Sequence, residues 1–112
     1  MTVSETKFVE LAKEIFSLFA LGKYNEVHSL IDRAEEEYPE RLDKTIFWRA
    51  CVFSLQGEPD NAIEALKKGL KKGIWWNPSS LIRDEDLSKL QNLKEFKMIV
   101  NECQKFWKNK II

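Results

Sequence analysis

The chain has few of the residues that most often build catalytic and metal sites. Its 112 residues include one histidine, His28, and two cysteines, Cys51 and Cys103, too few and too far apart for a zinc site. It contains neither the Gly-x-Ser-x-Gly turn of a hydrolase nucleophile nor a glycine-rich phosphate loop. The acidic residues 84–86 lack the spacing and the glycine of a calcium loop. We therefore expect no catalytic residues, no cofactor and no bound metal.

Long apolar runs are also missing from the sequence. No segment approaches the roughly 20 apolar residues that a membrane-spanning helix needs, and residues 1–6 do not form a secretory signal. A hydrophobic content of 44% and an aromatic content of 12% are enough for one folded domain with a core. We expect a cytoplasmic protein without a membrane partner, in which Cys51 and Cys103 are buried free thiols.

The chain as a whole has no excess charge of either sign, but its two parts do. Residues 1–40 hold four basic and nine acidic side chains, a net charge of −5, and residues 41–112 hold fourteen and nine, a net charge of +5. This asymmetry fits an electrostatic partner, head-to-tail self-association, or helices that complement one another within the chain. A homodimer therefore stays an open alternative. The neutral total argues against a nucleic-acid partner, although four lysines lie within residues 67–72.

The sequence does contain a repeated pattern of apolar residues at helical spacing. Within residues 42–72, two such segments are separated by Gly57, which can end a helix, and Pro59, which can begin the next. Shifting the chain by 35 residues places Gly22 on Gly57 and Tyr24 on Pro59. A period near this length with helix–turn–helix punctuation is typical of α-helical repeat proteins.

At these positions the chain resembles the tetratricopeptide repeat family. The matching positions are Leu21, Gly22, Lys23, Tyr24, Val27, Ile31, Ala34 and Pro39 in the first copy, and Ala50, Phe53, Gly57, Ala62, Leu66 and Gly69 in the second. The resemblance covers about residues 8–73. It departs at Ile15, where the family prefers a small residue, and at Gly69, where alanine is usual and where we expect two helices to approach closely.

The resemblance implies an all-α fold, a right-handed stack of antiparallel helix pairs. We predict the first repeat at about residues 8–40 and the second at about 42–73. A closing segment, residues 74–112, would end in a capping helix over about 93–108. Such a helix is expected because a repeat array exposes the apolar face of its last repeat.

The resemblance also implies a binding groove along the first helix of each pair. Carried over by position, its lining residues are Val9, Ala12, Phe16, Phe19, Lys44, Phe47, Trp48, Cys51 and Leu55. Some family members hold a peptide carboxylate there with Lys, Asn and Arg, but Ala12, Phe16 and Trp48 occupy those positions here. An apolar, aromatic groove suits an amphipathic helix. The alternative is that the closing helix fills the groove as core.

Trp75 and Trp76 lie in a segment rich in glycine, proline and serine. One interpretation is a loop pinned by its aromatic side chains against the end of the helical stack, which we favour because large aromatic residues are mostly buried. The other is an exposed aromatic anchor for a partner.

These features predict a protein–protein interaction or scaffolding module without catalysis of its own, binding an unidentified protein or peptide. The alternative is an accessory or regulatory domain of a larger enzyme, for example a hydrolase, acting in cis or in trans. The resemblance leaves this alternative open, because similar arrays and closing segments precede a catalytic or regulatory domain in some bacterial proteins.

Overall fold

The computed structural model describes the backbone of residues 1–111 and the side chains of residues 1–109, and this part of the chain contains helices but no strand. The α-helices are α1 (Val3–Ala20), α2 (Tyr24–Glu37), α3 (Leu42–Leu55), α4 (Pro59–Lys71), α5 (Pro78–Arg83) and α6 (Lys94–Ile111). Two 3₁₀ helices cover Pro39–Arg41 and Glu85–Leu90. The prediction of an all-α fold is confirmed. None of the helices described is long and apolar enough to cross a bilayer.

Local chemistry explains where the first four helices begin and end. The Thr2 hydroxyl accepts a hydrogen bond from the Glu5 N–H at 3.1 Å and caps α1. Gly22 and Gly57 follow α1 and α3 with φ of 70° and 75°, a left-handed conformation that glycine adopts without steric penalty. Pro59 occupies the first turn of α4, where its missing N–H is not needed.

The helices α1 to α4 pack in sequence, each against the next. The first pair encloses a core that α3 completes, made of Phe8, Leu11, Ile15, Val27, Ile31, Ala34, Tyr38 and Val52. Because Val52 belongs to the second pair, the two pairs share this core rather than forming separate units.

A polar cluster around Arg49 joins α2 to α3. The Arg49 guanidinium donates to Asp32 and, at 3.4 Å, to Glu35. It also lies 3.0 Å from His28 Nδ1, which must accept because an arginine can only donate. His28 Nε2–H then donates to Gln56 Oε1 at 2.8 Å. Both ring nitrogens of His28 are therefore engaged in holding two helices together.

The closing segment packs on α3 and α4 through several short elements rather than through one helix. The 3₁₀ helix Glu85–Leu90 lies on α3, and α6 packs against α5 and α4. The resulting core contains residues of α3, α4 and the closing segment: Ile46, Ala50, Cys51, Ala62, Ile63, Leu66, Trp76, Leu81, Leu87, Leu90, Phe96, Ile99, Val100 and Cys103.

Helix α5 was not predicted, since residues 74–80 read as a loop. It begins at Pro78, and the Asn77 side chain caps it by accepting from the Ser79 N–H at 2.9 Å. Asn followed by Pro is a helix-start signal.

Candidate functional site

The outer surfaces of α1 and α3 form an apolar face on which several predicted groove residues meet. We call it the α1–α3 face and define it by Val9, Ala12, Phe16, Lys44, Phe47 and Trp48. Phe16 is 50% exposed and Val9 is 38% exposed. Phe47 and Trp48 are half-buried, and Lys44 is exposed. The fold therefore presents aromatic and aliphatic side chains to solvent from two packed helices.

Ring contacts hold the aromatic side chains of this face in place. Trp48 stacks on Phe8 with ring centroids 5.8 Å apart, and Phe16 meets Trp48 edge-on at 5.2 Å. Beneath them, the Arg41 guanidinium carbon lies 5.2 Å from the centroid of Phe8. Aromatic pairs in such geometries stabilise one another beyond simple burial. The exposed rings are consequently oriented before any partner arrives.

A recess of about 370 Å³ opens beside Trp48, between α3 and the start of the closing segment. Its lining residues are Asp43, Lys44, Phe47, Trp48, Trp75, Trp76, Asn77 and Ser80. The predicted groove includes Lys44, Phe47 and Trp48 of α3, which line this recess. It does not include Asn77 and Ser80, whose position depends on α5. The alternative interpretation is that the closing helix fills the groove. The described residues of α6 do not line this recess, and α6 packs on α5 and α4.

Cys51 does not belong to the open part of the groove. Its side chain is 4% exposed and lies in the second core. The ligand atoms of Cys51, Asp84 and Asp86 lie within 4.8 Å of one another. Burial raises the pKa of the Cys51 thiol, and the charges of Asp84 and Asp86 raise it further. A thiol kept protonated in this way is a poor nucleophile.

Phe19 and Leu55 lie at the far end of the predicted groove and are half-buried. Phe19 packs against both cores and meets Tyr24 at a ring-centroid distance of 6.4 Å. The main role of Phe19 is therefore to connect the two cores, not to line a groove.

The two adjacent tryptophans have different environments. Trp76 is 7% exposed, and its indole N–H donates to the Asp43 carbonyl at 2.8 Å. Trp75 is half-buried and stacks on Phe106 at 6.1 Å, with Trp107 edge-on at 6.1 Å. Trp76 is thus part of the core, whereas Trp75 belongs to an aromatic group that reaches the surface.

Gly69 makes room for Trp76. A Cβ atom at position 69 would lie 2.5 Å from Cη2 of the Trp76 indole. The same Cβ would lie 3.5 Å from Cγ2 of Ile46 on α3, so the glycine faces α3, as expected, and also accommodates an aromatic ring from the segment after α4. A sequence pattern confined to helix pairs could not identify this contact.

A family model described as "A/B hydrolase-like, N-terminal domain" matches residues 7–110. The match therefore includes both helix pairs and most of the closing segment. The comparisons with curated proteins and with solved structures give no match.

This result corrects the assignment to the tetratricopeptide repeat family. The resemblance depended on apolar spacing and on Gly22 and Gly57, but glycine stops of this kind end helices in many folds. The structure gives a physical reason why the repeat pattern was misleading. Gly69 makes room for Trp76, and the closing segment provides much of the second core. The chain belongs to the A/B hydrolase-like N-terminal domain family.

Proposed function

We propose that the chain is a non-catalytic accessory domain of an α/β hydrolase, acting in cis or in trans. The observation that carries this proposal is the family match over residues 7–110. Two features of the side chains support the absence of catalysis. Both ring nitrogens of His28 are engaged between helices, and burial raises the pKa of the Cys51 thiol, which keeps it protonated.

The α1–α3 face is the surface that we propose for contact with the hydrolase domain. It offers Phe16 and Val9 at 50% and 38% exposure, beside the recess at Trp48. Aromatic anchors that enter a partner's pocket provide much of the binding energy in protein interfaces. Anchors on packed helices lose little conformational freedom when they bind. A helix of the hydrolase domain would fit against this face.

We also propose a cytoplasmic location and self-association as a dimer. Both cysteines are free and buried, which suits the reducing cytoplasm. The opposite charges of residues 1–40 and 41–112 would also support a head-to-tail dimer. Sedimentation velocity at low and high salt distinguishes a dimer held by these charges, which would dissociate as salt rises, from a monomer.

The experiment pairs this chain with an α/β hydrolase domain encoded in the same reading frame or by an adjacent gene. A fluorophosphonate probe, which labels active serine hydrolases, should label the hydrolase domain and leave this chain unlabelled. Isothermal titration calorimetry should detect a complex between the two. The variant Phe16→Ser should weaken that complex more than tenfold, the effect expected of an interface anchor.

The matched control is Met98→Ser, which removes an apolar side chain of 58% exposure from α6, outside the proposed face. It should leave the affinity unchanged, and thermal unfolding should show that both variants fold. Labelling of this chain by the probe would contradict the proposal that the chain is not catalytic. Equal weakening by the two substitutions would overturn the assignment of the face.

A further inference from the structure

A second concavity lies between α2, α3 and α4, on a different side of α3 from Trp48. We call it the α3–α4 groove. It has a volume of about 370 Å³ and is lined by Glu35, Leu42, Ile46, Arg49, Phe53, Asn61, Glu64, Ala65, Lys68 and Lys72. Its size lies within the range of small-molecule sites. Neither the groove prediction nor the proposed function uses it.

Apolar side chains line much of the α3–α4 groove: Leu42, Ile46 and Phe53 from α3 and Ala65 from α4. Arg49 lies between Ile46 and Phe53, and its guanidinium donates to Asp32 and Glu35 of α2. Leu42 and Phe53 stand eleven positions apart on one helix, which corresponds to about 16 Å at 1.5 Å per residue. The groove therefore has the proportions for a linear aliphatic chain.

The charges around the groove leave two cations without partners. Glu35 is paired with Arg49 at 3.4 Å, and Glu64 lies 3.9 Å from Lys67. Among the side chains that the structure describes, no carboxylate forms an ion pair with Lys68 or Lys72. Lys68 lies in the last turn of α4 and Lys72 directly follows the helix, four positions further on, so both can approach one ligand group.

The charge of the groove indicates the charge of its ligand. Its lining includes three cations, Arg49, Lys68 and Lys72, and two acids, Glu35 and Glu64. The net charge of +1 matches a ligand with a single negative charge. An anionic group on an apolar chain suits this lining better than a cation, which would meet the ammonium groups of Lys68 and Lys72.

We infer that the α3–α4 groove binds a free aliphatic monocarboxylate of medium chain length. Its carboxylate contacts Lys68 and Lys72, and its hydrocarbon chain lies on the floor formed by Leu42, Ile46 and Phe53. Exposed lysines bind carboxylates only modestly, so burial of the chain provides the rest of the affinity. This inference does not depend on the proposed contact with a hydrolase.

The test measures binding of octanoate to the unaltered chain by isothermal titration calorimetry, with octan-1-ol and octylamine as neutral and cationic analogues. Octanoate should bind with a stoichiometry of one and more tightly than either analogue. Its affinity should fall as salt rises, because exposed charges are screened. Amide chemical shifts in NMR spectra should change along α3 and α4. No binding at millimolar octanoate, equal affinity for octanol, or shifts confined to the α1–α3 face would overturn the inference.

Variants then test the two lysines. The double variant Lys68→Gln/Lys72→Gln should bind octanoate about tenfold more weakly. Lys71→Gln is the matched control, since it also removes a positive charge from the end of α4 but does not line the groove. It should bind as the unaltered chain does. Unchanged affinity in the double variant would overturn the site, and circular dichroism verifies that all variants fold.

Discussion

Phe16 and Cys51 occupy equivalent positions in the two helix pairs, 35 residues apart, but their environments are opposite. Phe16 is 50% exposed, whereas Cys51 is 4% exposed. The difference arises from what covers each helix. Among the residues that the structure describes, the closing segment packs on α3 next to Cys51, whereas its main contacts do not include α1. The comparison shows that an apolar stripe at helical spacing does not by itself decide whether a residue becomes core or an exposed surface.

The second helices of the two pairs differ in the same way. Ala34 of α2 is buried in the first core among aliphatic and aromatic side chains. Its counterpart Gly69 in α4 lies against the ring of Trp76. The closing segment thus accounts for both differences, and three experiments test how strongly it does so.

The largest effect is expected from Trp76→Ala. This change removes a buried indole and its hydrogen bond to the Asp43 carbonyl, and it leaves a cavity next to Gly69. We expect the free energy of unfolding to fall by about 3–5 kcal/mol, measured by urea denaturation followed by circular dichroism. Trp107→Ala is the control, since Trp107 is 36% exposed, and should cost far less. Similar losses would contradict the central position of Trp76.

The second prediction exchanges the two equivalent residues. Cys51→Phe places a phenyl ring where the smaller thiol lies, beneath the 3₁₀ helix Glu85–Leu90. It should lower the free energy of unfolding by about 1–3 kcal/mol through overpacking. Phe16→Cys removes a half-exposed ring and should change it by less than about 1 kcal/mol. Denaturant titration of both variants measures the difference. If Phe16→Cys were the more damaging change, the closing segment would not be what distinguishes the two pairs.

The smallest effect is expected from Gly69→Ala, and its sign is informative. Helix propensity alone would stabilise α4 by about 0.8–1 kcal/mol. The new Cβ, however, would lie 2.5 Å from the Trp76 ring, so we expect a net loss of about 1–2 kcal/mol. In a Trp76→Phe background the same substitution should cost less, and a double-mutant cycle measures this coupling. A net gain in the unaltered background would contradict the contact.

Features that depend on neighbouring residues in the chain were predictable. Gly22 and Gly57 end helices as expected. Six of the nine predicted groove residues lie on the α1–α3 face. Cys51 does not, because its burial depends on residues 85–90. The family assignment failed for a related reason, since spacing within helix pairs contains no information on what covers them.

The sequence by itself determined that the chain is helical and where most helices begin and end, because caps, glycine stops and apolar periodicity act over a few residues. The tertiary structure decided which apolar stripe is exposed, where Trp76 lies, and that Lys68 and Lys72 flank an apolar groove. Those outcomes arise from contacts between distant residues, such as Asp43 and Trp76. Such contacts form only when the helices pack, and so patterns of neighbouring residues in the sequence do not reveal them.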